Sequence, residues 1–330
     1  MMSPHSLLSR VADSVYWVGR YLERAESVAR FIDVNLYLSL DSPPGLTQQW
    51  RPLIQVTGDH ETFDGRYGQP SRENVIQFLT FDLDNPNSIL FCLRAARENA
   101  RTVRDTISSE MWEQVNRMYL HLNDAVHRDR VVDSPGDLFH EVKQGCHLLE
   151  GIANSTMSHG EAWHFMNLGR SLERGEKATR ILDVKYFYLL PSITDVGTPI
   201  DDIQWAAVLK SVSGFEMYRK QYGPIVPANI TEFLLLDRSF PRAVMYCLDC
   251  AAGSLHAITG TAPGAYRNPA ERLLGQLCAE LGYTSVKEVV ATGLHEFLDG
   301  LQTKINLVDD AIFETFFTMQ RVPTKAASSR

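Results

Sequence analysis

Gly19-Arg20-Tyr21-Leu22-Glu23-Arg24-Ala25-Glu26 returns 150 positions later as Gly169-Arg170-Ser171-Leu172-Glu173-Arg174-Gly175-Glu176. The match extends through Arg30 with Arg180, Asp33 with Asp183 and Val34 with Val184, so that nine of the 18 positions from 17 to 34 are identical without a gap. Beyond a longer linker in the second half the offset becomes 155 and holds. Gln49 and Trp50 meet Gln204 and Trp205; Asn74, Phe78, Leu79 and Asp82 meet Asn229, Phe233, Leu234 and Asp237; Pro86, Cys92 and Leu93 meet Pro241, Cys247 and Leu248. The ends of the two units diverge further, with Val142, Gly145 and His147 opposite Val290, Gly293 and His295. Repetition of this length is the mark of a duplicated structural unit.

The unit is helical. From Val18, apolar residues recur at Tyr21, Leu22, Ala25, Val28, Ala29, Ile32 and Leu36, one broad stripe at 3.6 residues per turn. Leu168, Leu172, Ala178, Ile181 and Leu182 repeat it. Asn85 before Pro86 predicts a capped helix start, followed by Ser88 to Asp105 without Gly or Pro. Met111 to Val126, Leu138 to Ile152, Trp205 to Tyr222, Val244 to Ile258, Glu271 to Leu281 and Val286 to Phe317, the last with breaks, are further helices. The Gly/Pro-rich pieces Asp41 to Gly45, Gly58 to Gln69, Pro191 to Pro199 and Thr261 to Pro269 are connectors. The expected fold is an all-α helical bundle built from an internal duplication with pseudo-twofold symmetry: a first repeat over 8–159, a second over 160–317 in the same body, and a flexible tail over 318–330.

Composition narrows the function classes. At 330 residues and 44% hydrophobic content the chain can bury a full core, and its net charge of −8 argues against a phosphate-backbone binder. The five cysteines, Cys92, Cys146, Cys247, Cys250 and Cys278, are too sparse for a disulfide framework and read as reduced core thiols, the Cys247/Cys250 pair included. No stretch has signal-peptide or membrane-spanning character, so a cytoplasmic location is expected.

Two charge patterns stand out. On a helix Gly19, Glu23, Glu26, Arg30 and Asp33 share one face, flanked by Arg20 and Arg24, and the pattern recurs as Gly169, Glu173, Glu176, Arg180 and Asp183 with Arg170 and Arg174. Exposed pairs contribute only about 0.5 kcal/mol each, too little to hold spacing in both copies. Either the halves meet through an interdigitated charge network or both line a ligand site; the structural network is the favoured reading.

The second pattern occurs once. Arg94, Arg97, Arg101 and Arg104 line one helix face, and the corresponding second-half positions are Asp249, Ala252, His256 and Thr259. Pairing with Glu98 and Asp105 is one reading; a substrate-binding face for carboxylate or phosphate, completed by Trp112 and Asn116, is the other. In the latter case Glu98, Glu110 or Glu113 are the candidates for acid–base work. Repeated glutamates also invite a carboxylate-bridged di-metal bundle, but Glu161 with His164 is one Glu-x-x-His pair, and Val11 and Ser14 stand opposite it. No metal or cofactor motif is recognised, and no Gly-rich phosphate loop or nucleophile elbow.

The opening run Leu8-Ser9-Arg10-Val11-Ala12-Asp13-Ser14-Val15-Tyr16-Trp17-Val18-Gly19-Arg20-Tyr21-Leu22-Glu23-Arg24-Ala25-Glu26 resembles the N-terminal signature of the bacterial alpha-E family, named for helices rich in glutamate. Arg97-Glu98-Asn99-Ala100-Arg101 with Ile107 to Glu113 and Asn116 resembles its second block, and Leu168 to Arg174 its third. The resemblance implies an all-helical domain encoded beside, or fused to, circularly permuted ATP-grasp proteins and transglutaminase-like proteins. It therefore implies a role in ATP-dependent peptide or amide ligation or processing, as an accessory or scaffold partner presenting a charged helical surface. An enzyme acting through the Arg94–Arg104 stripe and a self-associating architectural protein are the alternatives.

Overall fold

The computed structural model describes residues 7–41, 50–127, 135–188 and 199–318. Among them there are fifteen α-helices and no strand, which makes the protein all-α. In chain order these are α1 (Ser9–Asp41), α2 (Arg51–Thr57), α3 (His60–Tyr67), α4 (Arg72–Thr80), α5 (Ile89–Thr102), α6 (Ser109–His127), α7 (Pro135–Thr156) and α8 (Glu161–Tyr188). They are followed by α9 (Pro199–Ser211), α10 (Phe215–Tyr222), α11 (Pro227–Leu236), α12 (Val244–Thr259), α13 (Pro269–Tyr283), α14 (Val286–Thr292) and α15 (Leu294–Ile312), which runs into a π-helical turn, Phe313–Phe317.

The two long helices, α1 and α8, pack against each other at the centre. Their approach is close because both carry glycine at the crossing. A Cβ added to Gly19 would land on the Met166 carbonyl oxygen, and one added to Gly169 on that of Tyr16. Around this pair, α5 and α7 pack on α1 with α6 joining them, and α12 and α15 pack on α8 with α13 joining them. The short helices cross over: α9 packs against α1, and α2 against α8. One continuous hydrophobic cluster runs through all of it.

Under the short helices sit two aromatic groups at a constant offset of 155. Phe63 stacks on Tyr67 (5.4 Å) with Phe78 edge-on to Phe63 (5.2 Å); Tyr218 stacks on Tyr222 (5.2 Å) with Phe233 edge-on to Tyr218 (5.8 Å). Such pairs contribute roughly 0.5–1.5 kcal/mol beyond the area they bury. The Cys92 and Cys247 thiols donate to the Pro86 and Pro241 carbonyls, at 3.5 and 3.6 Å.

Several boundaries differ from the sequence-based expectation. Asn85 is not the cap of α5. Its side chain accepts from Asn87 N–H (2.9 Å) and donates to the Phe78 carbonyl (3.1 Å), holding a turn, while Ser88 Oγ caps the helix by accepting from Phe91 N–H (3.2 Å). The helix stops at Thr102 because Val103 leaves helical geometry, at φ −124° and ψ 29°. Gly58 to Gln69 contains α3 rather than a plain connector; Phe63, fully buried, anchors that short helix despite Gly65. The segment expected as one helix from Trp205 to Tyr222 begins earlier, at Pro199, and breaks at Ser213, whose φ is +53°. A second break falls at Gly293, at φ +98°. Most of the connectors Asp41 to Gly45 and Pro191 to Pro199, and the tail from 319 on, lie outside the described residues.

Candidate functional site

The repeated charge face of α1 and α8 points inward, where the two helices meet. Arg24 grips Glu173 with two donors, Nε at 2.7 Å and an NH2 at 3.0 Å, and Arg20 Nε reaches the same carboxylate at 2.6 Å. In the opposite direction Arg174 donates to Glu23 at 2.7 Å. Glu173 is fully buried and Glu23 is 2% exposed. Arg20 also bonds Asp309 at 2.6 Å, and the Tyr16 hydroxyl donates to that same carboxylate. Glu26 receives Arg30 and Arg242, and His147 Nε2 lies 3.1 Å away. On the far side Arg180 Nε bonds Glu176 at 2.7 Å, Lys143 pairs with Asp33, and His295 Nδ1 lies 2.8 Å from Asp183. Arg170 pairs with Glu150 at 3.1 Å.

The field inside this network decides its protonation. Burial by itself would raise the carboxyls. For Glu173 the guanidinium groups of Arg24 and Arg20 and the Lys177 ammonium outweigh it and hold the group well below the usual carboxylate range. For Glu26 burial is outweighed by Arg242, the His147 bond and Arg30, and the pKa is again held low. Glu176 is lowered against burial by Lys177, with Arg180 and Arg20 adding to the effect over the opposing charge of Glu173. Asp183 goes the other way: burial raises it, and the His295 bond only partly offsets this. The crossing is therefore a set of ionised acids saturated with cations, an arrangement in which removing one partner strands a buried charge.

The unrepeated arginines form a different surface. Arg97 Nε donates to Asn116 Oδ1 on α6 at 2.6 Å, and its guanidinium lies over Trp112 (5.8 Å) and Tyr119 (5.2 Å). Arg104 lies over Trp112 at 4.9 Å and Arg94 over Phe91 at 5.3 Å. Trp112 thus contacts both guanidinium groups, a contact that holds a guanidinium without neutralising it. Glu98 takes Arg97 at 2.7 Å and Arg101 at 2.9 Å. Among the described residues Arg94 and Arg104 have no carboxylate partner. Glu110 and Glu113 stand in solvent at the start of α6. The sequence-predicted pieces Arg94, Arg97, Arg101, Arg104, Trp112 and Asn116 therefore lie on the α5/α6 side of the molecule, Arg101 and Arg104 exposed and the other four half-buried.

Beside the crossing lies a small cavity of about 30 Å³, room for a water or two, lined by Glu23, Glu26, Glu150, Arg170 and Cys146 among others, with no residue from α5. Glu161 accepts the Leu7 N–H at 2.7 Å, and His164 has its pKa lowered by burial. Among the described residues no three His, Cys, Asp or Glu side chains are grouped to hold a metal ion. Burial pushes the Cys92 and Cys247 thiols up to about 12, which makes them unreactive core residues.

Sequence reading missed Arg242, Lys177, Glu150 and Asp309. Lys177 was accessible in principle, four residues after Glu173 on one helix face. Arg242 follows Pro241, where the first half has Asn87 after Pro86, so the offset of 155 already marked the difference. Glu150 and Asp309 reach the network through the packing of α7 and α15, which no local pattern reveals.

This fold and this charged crossing define an all-helical domain organised on two facing Glu-Arg dipeptides, Glu23-Arg24 and Glu173-Arg174. The chain belongs to the alpha-E family, described as a predicted alpha-helical domain with a conserved ER motif, whose profile matches residues 7–317. Among curated proteins it is similar to an uncharacterized protein of Mycobacterium bovis, 27% identical over 337 aligned positions. An uncharacterized protein of Mycobacterium tuberculosis is 26% identical over 337 positions. Each match covers 93% of this chain and 36% of the relative, so the chain spans little more than a third of the length of these relatives. No solved structure matches the chain. Among the described residues no helix is long and apolar enough to cross a membrane.

Proposed function

We propose that this chain is a non-catalytic helical partner of an ATP-grasp ligase, offering the arginine face of α5 and α6 as its docking surface in peptide or amide ligation or processing. The observation that carries this reading is the cluster of Arg97 and Arg104 over the Trp112 ring. It holds the exposed Arg104 guanidinium over the ring with no carboxylate on it, beside an Arg97 fixed by Asn116 and Glu98, at low conformational cost for binding an acidic segment. That the curated relatives are nearly three times as long as the matched region supports a module that works beside other domains. A transglutaminase-like protein is a further partner in the same assembly, and the five free thiols suit a cytoplasmic setting.

The rest of the molecule serves as the rigid frame. We infer two copies of one unit, 8–159 and 160–317, related by a pseudo-twofold axis near the Gly19/Gly169 crossing. In this reading the reciprocal pairs Arg24 with Glu173 and Arg174 with Glu23 are the structural charge network that fixes how the copies meet. The catalytic alternative finds less support, since Glu98 is held by two arginines while Glu110 and Glu113 are exposed and have no desolvated site in which to work.

Co-expression with a circularly permuted ATP-grasp protein from the same organism tests the proposal. The wild-type chain should co-purify with it and raise ligation. The double variant Arg97→Glu/Arg104→Glu should lose the complex while its melting temperature stays within a few degrees of wild type. Absence of a wild-type complex, or ligation that proceeds equally without this chain, would overturn it.

A further inference from the structure

An acidic stripe runs along the outer side of α15 and the π-helical turn that follows it. Asp299, Thr303, Asn306, Asp310 and Glu314 recur every three or four residues and are all exposed, with exposed Leu307 and Phe313 beside them. Among the described residues no basic side chain pairs with Asp299, Asp310 or Glu314. Lys304, on the same helix, pairs with Glu280 of α13.

The stripe is the converse of the arginine face. There Arg94 and Arg104 rest on Phe91 and Trp112 without a carboxylate among the described residues, and Arg101, 59% exposed, shares Glu98 with Arg97. Each surface thus pairs uncompensated charge of one sign with aromatic side chains. Neither stripe is repeated. Asp249 stands where the first half has Arg94, and Arg238 neutralises it at 2.8 Å. At the offset of 148 that sets His147 opposite His295, Glu296 falls opposite Leu148 and Asp299 opposite Gly151. At these positions the first half carries the arginines and the second half the acids. Because α5 packs on α1 and α15 on α8, the two surfaces belong to different halves, and among the described residues no ion pair joins them within the molecule.

We propose that the acidic stripe of α15 docks on the arginine face of a second copy of this chain, which covers that face when no other partner holds it. The inference rests on the arginine face being open to an acidic segment, and it names the segment that meets the face first. Two different patches on one chain make a heterologous contact, so copies join head to tail. Ion pairs between exposed side chains are individually weak and screened by salt, so the association is reversible and follows concentration and ionic strength. A partner with a stronger acidic segment displaces the second copy by mass action.

Light scattering of the full chain over a range of concentrations tests this without any other protein present. The average mass should rise with concentration at low salt and fall to that of one chain at about 1 M salt, where screening reaches ~3 Å. Arg101→Glu/Arg104→Glu and Asp310→Lys/Glu314→Lys should each remain single chains, and both should melt within a few degrees of wild type. Their mixture should associate again, because the first variant keeps the acidic stripe and the second keeps the arginine face. In co-expression with the ATP-grasp protein, Asp310→Lys/Glu314→Lys should be captured at least as well as wild type, its arginine face being uncovered. A wild-type chain that stays single at every concentration, association that persists in either variant or at high salt, or a mixture that does not associate would each overturn the proposal. Loss of ATP-grasp capture with self-association intact would instead overturn the docking reading alone.

Discussion

The α1/α8 crossing and the α5/α6 face are built from the same residue, arginine at helical spacing, and behave oppositely. At the crossing Arg20, Arg24 and Arg174 are 8–13% exposed and each is met by carboxylates of the facing helix. On the face Arg101 is 59% exposed, and Arg94 and Arg104 rest on aromatic rings instead of acids. The difference lies in desolvation. A buried guanidinium without a carboxylate is prohibitive, so the crossing is saturated; an exposed one keeps its water and remains available to a partner.

The sharpest way to break that contrast is to remove one acid from each region. Glu173→Ala leaves Arg20, Arg24 and Lys177 without their common partner in a buried position and should cost about 3–5 kcal/mol by chemical denaturation. Acid should act on the crossing next. The Glu26, Glu173 and Glu176 carboxyls are held below their ordinary value of 4.5. The native state therefore binds fewer protons than the unfolded one. The stabilisation is complete above about pH 4.5 and is lost as pH falls through the lowered native values. A denaturant midpoint that is flat from neutrality to about pH 5 and then declines is expected, and a midpoint rising on acidification would show that burial dominates.

Gly19→Ala should follow, at about 1–3 kcal/mol, because the new methyl meets the Met166 carbonyl and the long helices must separate. A neutral result would mean that the crossing tolerates a wider approach than its geometry implies. The smallest effect belongs to Glu98→Ala. Its arginine partners are partly or largely exposed, so the cost should stay within roughly 0.5–1 kcal/mol while docking to an acidic partner is kept or strengthened. A loss as large as that of Glu173→Ala would erase the distinction between the two regions.

Much of the crossing was legible because charge type and spacing recur at Arg20, Glu23, Arg24, Glu26, Arg30 and Asp33 and again 150 residues on. Long helices were equally plain, since a stripe such as Tyr21 to Leu36 has only one periodic reading. Short elements were not. Helix α3 has eight residues and an internal glycine, and only the burial of Phe63 against Phe78 justifies it. The Asn85-Pro86 pair carries a helix-start signal that the structure uses for a turn three residues before the true cap, because Asn85 finds the Phe78 carbonyl of the preceding helix.

Sequence alone determined the helical class, the repeated charge face and the unrepeated arginines, because these depend on periodicity along one chain. Tertiary structure alone decided which acid meets which base and that Arg242 and Asp309 join the crossing. Those outcomes depend on distances between helices far apart in the chain, and burial sets whether a given arginine must be neutralised or can stay free.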